Sequence, residues 1–220
     1  MVLFRGAPRL SEVLGDAFTG RGVDAVSSTN AIHLYYGLEE TLRSWRDALR
    51  PGGRVFVQSG NIANPDKRPE EWIIDETVHQ IHAAALEIAR EDDRYRDYRA
   101  VLDDAERMAA YDRLRSKFFL PVRPLSFYTD ALEAAGLVDL EVSSKRIEAR
   151  VVDWYAFLSA YHEGVIGWLG GSRRVEGHEP SERAVEDRLA LMRDAMARIF
   201  PGQAMFPCRW TYMSGKRAEC

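Results

Sequence analysis

Apolar positions along the chain follow two spacings, one typical of strands and the other of helices. Residues 23–29 are small and β-branched, which predicts a buried strand. In residues 38–49 the apolar side chains recur every three or four positions, which predicts an amphipathic helix. A second strand is predicted at 54–59, after a Pro-Gly-Gly turn at 51–53. A helix between two short apolar strands is typical of a right-handed βαβ unit with a parallel sheet.

The remaining pattern is mostly helical. Two long charged segments, 70–89 and 95–116, have helical spacing and predict an inserted helical region. A shorter helix is predicted from Tyr128 to Ala135, capped by Ser126 or Thr129 and ended by Gly136. Beyond it the pattern predicts a strand at 137–147, helices at 152–165 and 180–200, and a last strand at 209–216.

The composition is that of a globular protein with one core. The chain has 220 residues, 46% of them hydrophobic, and a net charge of −4. This mild acidity disfavours nucleic acid and anionic membranes as partners. No apolar run approaches the roughly 18 residues of a membrane span, and no secretory leader is visible. The two cysteines, Cys208 and Cys220, argue against a disulfide framework, so we expect a cytoplasmic protein.

Residues 23–60 resemble the central part of class I S-adenosylmethionine-dependent methyltransferases. In that family an acidic residue opens the fourth strand, an Asn-x-x-His-like segment follows, and Leu-x-Pro-Gly-Gly precedes the fifth strand. Here these features are Asp24, residues 30–33 and residues 49–53. Looser similarity to the third-strand turn, to the helix before the sixth strand and to the seventh strand extends over residues 13–18, 127–137 and 206–216.

The resemblance implies an α/β fold with a Rossmann-like sheet of strand order 3-2-1-4-5-7-6 and helical cap insertions. The methyltransferase core would comprise residues 1–62, 120–150 and 203–217, and the caps would comprise residues 63–119 and 151–202. The family's glycine-rich motif and its second-strand acid do not occur before Asp16, so roughly sixty residues of the sheet are expected to be missing. The fourth strand would then be an edge. This chain is accordingly expected to be a fragment, the product of a wrong start codon, half of a split enzyme, or a degenerate relative.

The resemblance implies S-adenosyl-L-methionine as the cofactor. Asp16 would accept a hydrogen bond from its adenine amino group, and Ala17 and Phe18 would flank the ring. An aspartate in a turn is also common without any ligand, and Phe18 is equally compatible with a core position.

A second group of candidates follows the predicted fourth strand, because open α/β sheets bind ligands at the carboxyl ends of their strands. Ser28, Thr29 and Asn30 would offer backbone carbonyls to the cofactor's ammonium group, or would only satisfy the strand end. His33 lies near the expected methyl position and is a candidate general base, or otherwise lines the pocket. Methyl transfer depends on alignment more than on acid–base chemistry.

Candidates for an apolar substrate pocket are mostly aromatic, and the alternative is that they pack the cap helices on the sheet. They are Tyr35, Trp72, Trp154, Tyr161, His162 and Trp168. His79 and His82 have a spacing that can hold a metal, but two ligands are too few, so we expect an exposed helix face and no metal.

These features predict a methyltransferase acting on a small molecule. The alternative is a non-catalytic subunit of the same fold. In either case a second copy or a partner chain is expected to cover the exposed sheet edge. A hydrolase is disfavoured because the sequence contains neither a Gly-x-Ser-x-Gly elbow nor a phosphate-binding loop.

Overall fold

The computed structural model describes residues 9–10 and 21–219, which divide into two compact units. The sheet unit consists of the described residues within Met1–Ile73, Val122–Ile147 and Arg209–Cys220. The helical unit consists of Ile74–Pro121 and Glu148–Cys208. The predicted adenine contacts Asp16, Ala17 and Phe18 lie outside the described residues.

The main sheet has four strands, and two helices accompany it. The strands are β1 (Val23–Thr29), β2 (Leu49–Ser59), β5 (Leu137–Arg150) and β6 (Met205–Arg217), and the helices are α1 (Leu38–Ala48) and α5 (Leu125–Ala134). A separate two-stranded parallel sheet is formed by β3 (Ile62–Ala63) and β4 (Arg123–Pro124).

The strand order of the main sheet is β1-β2-β6-β5. β1 pairs with β2 in parallel, and α1 makes the connection between them. β6 pairs with β2 antiparallel. This order matches the 4-5-7-6 part of the expected sheet, so the described residues form a Rossmann-like α/β fold. In the part of the chain that the structure describes, β2 is the only neighbour of β1, which makes β1 an edge strand.

The Pro-Gly-Gly segment is a bulge inside β2 and not a separate turn before it. Val23 pairs with Leu49 and Ala25 pairs with Arg54, so four residues of β2 lie opposite the single residue Asp24. Gly52 has a φ of 74°, which a glycine adopts without cost. A Cβ on Gly53 would lie 3.0 Å from the Val23 carbonyl oxygen, so the close approach of the two strands also requires glycine.

One face of the sheet carries the core of the sheet unit. Val55, Val57 and Met213 point to this face, and α1 and α5 cover it. The predicted apolar spacing of α1 is confirmed, because Leu38, Leu42 and Trp45 all join the same buried cluster. Gly136 ends α5 with a φ of 81°, as predicted, but neither Ser126 nor Thr129 caps its start; Pro124 holds that position.

The expectation that β1 is buried is wrong. Of its seven residues only Ser28 is buried. The reason is that β1 lies at the edge of the described sheet and that the sheet face opposite α1 is open there. Phe56, on β2, is 45% exposed on this open face beside Ser27, and a shallow cavity of about 270 Å³ adjoins both residues.

The helical unit is built around two long helices that pack on each other. They are α2 (Ile74–Glu91) and α9 (Glu182–Ile199), and the shorter helices are α3 (Arg99–Leu102), α4 (Ala105–Phe118), α6 (Val151–Ala160), α7 (His162–Ile166) and α8 (Arg173–Glu176). Ser181 caps α9 by accepting from the Ala184 N–H. None of the helices in the described residues has both the length and the apolar character needed to cross a membrane.

Two predicted helices of this unit are interrupted. The segment 95–116 contains a 3₁₀ turn (Asp93–Tyr98), then α3 and α4, because the Asp104 side chain caps α4 through the Arg107 N–H and starts a new helix. The segment 152–165 breaks at Tyr161, between α6 and α7. The predicted helix at 70–89 begins later, at Ile74.

Candidate functional site

The carboxyl ends of β1 and β2 lie side by side because the two strands are parallel. Asn30 follows β1 directly in a left-handed conformation, with a φ of 48°. Asparagine tolerates this conformation better than most residues do. Its backbone N–H donates to the Gln58 carbonyl at 2.7 Å, which fixes the end of one strand to the other.

Ser59, the last residue of β2, is the centre of a polar network at this edge. Its side chain is fully buried. The Ser59 hydroxyl lies 3.1 Å from Asn30 Oδ1, and the same oxygen accepts from the Gly60 N–H at 3.2 Å. The Asn61 N–H donates to Ser59 Oγ at 3.0 Å. The network therefore joins the segment after β1 to the segment after β2.

His33 belongs to the same network. It lies on a 3₁₀ turn (Ile32–Leu34) that follows β1. Its Nδ1 lies 3.4 Å from Ser59 Oγ, and its Nε2 lies 3.1 Å from Asn61 Nδ2. Burial lowers the pKa of His33 to about 4, because an imidazolium loses hydration there. The ring is therefore neutral at pH 7, with both nitrogens engaged by protein groups.

Ser28 and Thr29 also lie at this edge, in different surroundings. Ser28 is 6% exposed, and its buried hydroxyl has no hydrogen-bond partner among the described residues. Thr29 Oγ1 accepts from Gln58 Nε2 at 3.2 Å, and Gln58 Oε1 in turn accepts from Trp210 Nε1 at 3.2 Å. The Ser28 hydroxyl is thus the polar group of this edge that still needs a partner.

Two of the predicted pocket residues belong to the sheet unit. Tyr35 meets Trp45 edge to face, with ring centroids 5.7 Å apart, and packs against the core. The Trp72 carbonyl accepts from the Arg209 N–H at 3.0 Å. Beside it, Arg209 and Glu71 form a buried ion pair of 2.7 Å that ties this segment to β6.

Three of the other predicted pocket residues lie in α6 or close after it. Trp154 stacks on Phe157 at 5.1 Å, and Phe157 lies 4.9 Å from Tyr161. These rings form an aromatic strip, with Phe157 48% and Tyr161 40% exposed. His162 lies outside the strip, because its Nδ1 accepts from Arg188 at 2.9 Å.

The last predicted pocket residue, Trp168, is 1% exposed and lies inside the helical unit. His82 is also buried there, at 7% exposure, so the expectation that both helix histidines lie on an exposed face is wrong for His82. His82 is buried because it lies at helical spacing from Val78, Ile81 and Ala85, on the buried face of α2. Arg115 and Asp112 of α4 contribute to its electrostatic environment. Among the described residues, no cluster of three or more potential metal ligands occurs.

Ser59 and Asn61 are the site residues that the sequence reasoning missed. The available signal was the polar run Gln58-Ser59-Gly60-Asn61 after a predicted parallel strand. Carboxyl ends of parallel strands share one edge, so a polar run after β2 should have been placed beside Asn30 and His33.

Comparison with known proteins gives results for structures alone. No model of a protein family matches the sequence, and no curated protein matches it. The chain is similar in structure to the YcgJ protein from Bacillus subtilis, with 15% identity over 90% of this chain and 65% of that chain and a TM-score of 0.44. A Bacillus halodurans protein assigned as a methyltransferase has 15% identity over 93% of this chain and 70% of its own, with a TM-score of 0.46.

A third similar structure holds bound ligands. It is phosphoethanolamine N-methyltransferase 2 from Haemonchus contortus, in complex with phosphomonomethylethanolamine and S-adenosylhomocysteine. Its identity is 11% over 89% of this chain and 33% of that chain, with a TM-score of 0.36. This chain therefore spans about a third of that enzyme and slightly under two thirds of YcgJ.

Proposed function

We propose that this protein is an S-adenosylmethionine-dependent methyltransferase that acts on a small molecule at the carboxyl edge of β1 and β2. The observation that carries the proposal is the strand order β1-β2-β6-β5, with β6 antiparallel to β2 and between β2 and β5. This order is the one that the sequence resemblance implies for the last four strands of a class I methyltransferase. Open α/β sheets bind their ligands at the edge where His33 and Asn30 lie.

The residues of this edge fit a polar ligand. A buried hydroxyl without a partner costs about 1–3 kcal/mol, and a ligand that hydrogen-bonds to Ser28 would remove that cost. The cofactor would supply the methyl group on a sulfonium. Ser28, Thr29 and the backbone of Asn30 would orient it, and Asp16 would bind its adenine beside Ala17 and Phe18.

Methyl transfer requires alignment of the nucleophile with the methyl group more than it requires proton transfer. In agreement with this, both nitrogens of His33 are occupied by Ser59 and Asn61. We therefore assign His33 to the site as a fixed neutral group and not as a free base. Within the helical unit, the aromatic strip Trp154–Phe157–Tyr161 supports an apolar ligand, and His162 and Trp168 are further proposals there. Within the sheet unit, Tyr35 and Trp72 stay proposals for substrate contacts.

The direct test is binding of S-adenosylhomocysteine, measured by calorimetry. We expect micromolar affinity, either for this chain or for this chain extended by whatever its gene encodes upstream. An extended protein that folds, as judged by circular dichroism, and gives no binding heat at millimolar ligand would contradict the proposal.

A matched pair of aspartates gives this test its control. Asp16→Asn removes the proposed adenine acceptor and should weaken binding about tenfold, which corresponds to about 1.4 kcal/mol. Asp24→Asn makes the same change in an exposed residue whose carboxylate meets Arg50 at 2.5 Å, and should leave the affinity unchanged. Equal effects of the two substitutions would show that Asp16 has no specific role.

A further proposal concerns the open edge of β1. Its exposed residues and its position at the edge of the described sheet favour cover by a second copy or a partner chain. Light scattering over a range of concentrations tests self-association. A monomer at every concentration would exclude the second copy, and a folded monomer that still binds the cofactor would argue against a purely non-catalytic subunit.

A further inference from the structure

The hydrogen-bond network at the edge determines which nitrogen of His33 carries the proton. A serine hydroxyl has one hydrogen and accepts two hydrogen bonds. Asn30 Oδ1 can only accept, so the Ser59 hydrogen points to it over 3.1 Å. The Asn61 N–H already donates to Ser59 Oγ. His33 Nδ1 can therefore meet Ser59 only as a donor.

The opposite side of the ring leads to the same answer. Asn61 Nδ2 carries hydrogens and lies 3.1 Å from His33 Nε2, so Nε2 must accept. A neutral imidazole has one donor and one acceptor nitrogen, and the two contacts select the same form. The contacts of Ser59 with Asn30, His33 and Asn61 are then all satisfied by one arrangement of hydrogens.

We infer that Ser59 and Asn61 are positioning residues that hold His33 as a neutral imidazole with its proton on Nδ1, so that His33 ties the segment after β1 to the segment after β2. The inference rests on the proposed function, because these two segments border the proposed methyl-transfer site. The same network holds Asn30 in its left-handed conformation through Ser59 and Gly60. The backbone of Asn30, which is proposed to meet the cofactor, is thereby fixed before any ligand arrives.

The tautomer can be observed directly by nitrogen-15 NMR of the full chain without any ligand. We expect one protonated and one unprotonated ring nitrogen on His33 at pH 7, with the proton on Nδ1. His33→Gln identifies the signals by removing them. A proton on Nε2, or a doubly protonated ring, would overturn the inference whether or not the protein binds S-adenosylhomocysteine.

Asn61→Asp tests the role of Asn61 with almost no change in size. A carboxylate opposite Nε2 accepts instead of donating, so Nε2 should become protonated and the pKa of His33 should rise by at least about one unit. Asn64→Asp is the matched control. Asn64 is buried in the same segment, but its side chain donates to Thr211 Oγ1 at 3.0 Å, and its substitution should leave the His33 signals unchanged.

Ser59→Ala provides a second variant in case Asn61→Asp fails to fold. It removes the acceptor of Nδ1–H while Asn61 still donates to Nε2, so we expect the preference for that tautomer to weaken without reversing. Both variants should weaken S-adenosylhomocysteine binding at least fivefold, while Asn64→Asp should not. Altered His33 signals with unchanged affinity would refute the positioning role. If His33 has the inferred tautomer but the protein does not bind S-adenosylhomocysteine, the proposed function would be refuted and the inferred tautomer would stand.

Discussion

Two buried polar networks, one in each unit, are built in opposite ways. At the edge of the sheet unit, His33 is held by a serine and an asparagine, and every member of the network is neutral. In the helical unit, His162 accepts from Arg188, a guanidinium with no exposed surface. Arg188 also donates to the carbonyls of Gly167, Leu169 and Gly171, at 3.3, 2.7 and 2.6 Å.

The two networks differ in the loss of hydration that their hydrogen bonds must offset. A buried cation loses far more hydration than a buried amide or hydroxyl, so it is tolerated only where many acceptors surround it. Arg188 is surrounded by such acceptors, because it donates hydrogen bonds to three backbone carbonyls of the segment after α7. The network in the helical unit therefore centres on one residue, whereas the neutral network of the sheet unit divides the task among several side chains.

The largest effect is expected from Arg188→Met. It leaves carbonyls of Gly167, Leu169 and Gly171 buried without a donor, and we expect a loss of about 3 kcal/mol or more in the free energy of unfolding. Urea denaturation measures it. Arg193→Met on the same helix is the control, because Arg193 is exposed, and it should cost no more than about 0.5 kcal/mol. Similar losses for both would remove the contrast between the units.

The second prediction concerns acid. Burial, with a smaller contribution from Arg115, lowers the pKa of His82 from 6.5 to about 3. Below pH 6.5 the unfolded chain therefore binds a proton on His82, whereas the folded chain does not until the pH is much lower. The free energy of unfolding is thus highest above pH 6.5 and falls as the pH drops. Between pH 7 and pH 5, His82 should lower the free energy of unfolding by roughly 2 kcal/mol. His33, with its pKa of about 4, adds a loss of the same sign.

His82→Leu separates the two histidines. The substitution should remove the pH-dependent loss caused by His82 and leave the loss caused by His33. The free energies of unfolding at pH 7 and pH 5 should then differ by clearly less than in the unsubstituted protein. Urea denaturation at the two pH values measures this difference. An unchanged acid sensitivity would mean that His82 is not kept neutral by burial.

Local patterns were sufficient to predict much of the sheet unit. The apolar spacing of α1 and the Pro-Gly-Gly sequence identify the βαβ unit, because both depend on neighbours in the chain. The exposure of β1 was not predictable in this way, since burial of a strand depends on what lies beside and above it. The break at Asp104 was missed because a side-chain cap outweighed a continuous helical pattern.

The candidate site shows the same limit. Asn30 and His33 were found through the resemblance, which concerns a continuous stretch of sequence. Ser59 and Asn61 were missed because their roles arise only when the register of β1 and β2 places them beside residues 26 to 29 positions away. Burial of His82 is different, because Val78, Ile81 and Ala85 place it on the apolar face of its helix and the sequence could have predicted it.

The third prediction returns to the sheet edge. Ser59→Ala removes a hydroxyl that interacts with Asn30, His33 and the Asn61 N–H, yet all the groups it leaves are neutral. We expect a loss of about 1–2 kcal/mol in the free energy of unfolding, smaller than that of Arg188→Met. A loss as large as that of the arginine variant would show that the neutral network is no less dependent on one residue.

No loss of stability is expected from the same substitution at Ser28. Both serines are buried, but the Ser28 hydroxyl has no partner among the described residues, so Ser28→Ala removes a desolvated group and no hydrogen bond. The free energy of unfolding should stay the same or rise by up to about 1–3 kcal/mol, the desolvation cost of an unpaired buried hydroxyl. If that hydroxyl serves the cofactor, affinity for S-adenosylhomocysteine should nevertheless fall about fivefold in calorimetry. A markedly less stable Ser28→Ala variant would reveal a structural partner for the Ser28 hydroxyl. Unchanged affinity for S-adenosylhomocysteine would exclude Ser28 from the binding site. The two serine variants therefore distinguish a hydroxyl that stabilises the sheet edge from one that is proposed to bind the ligand.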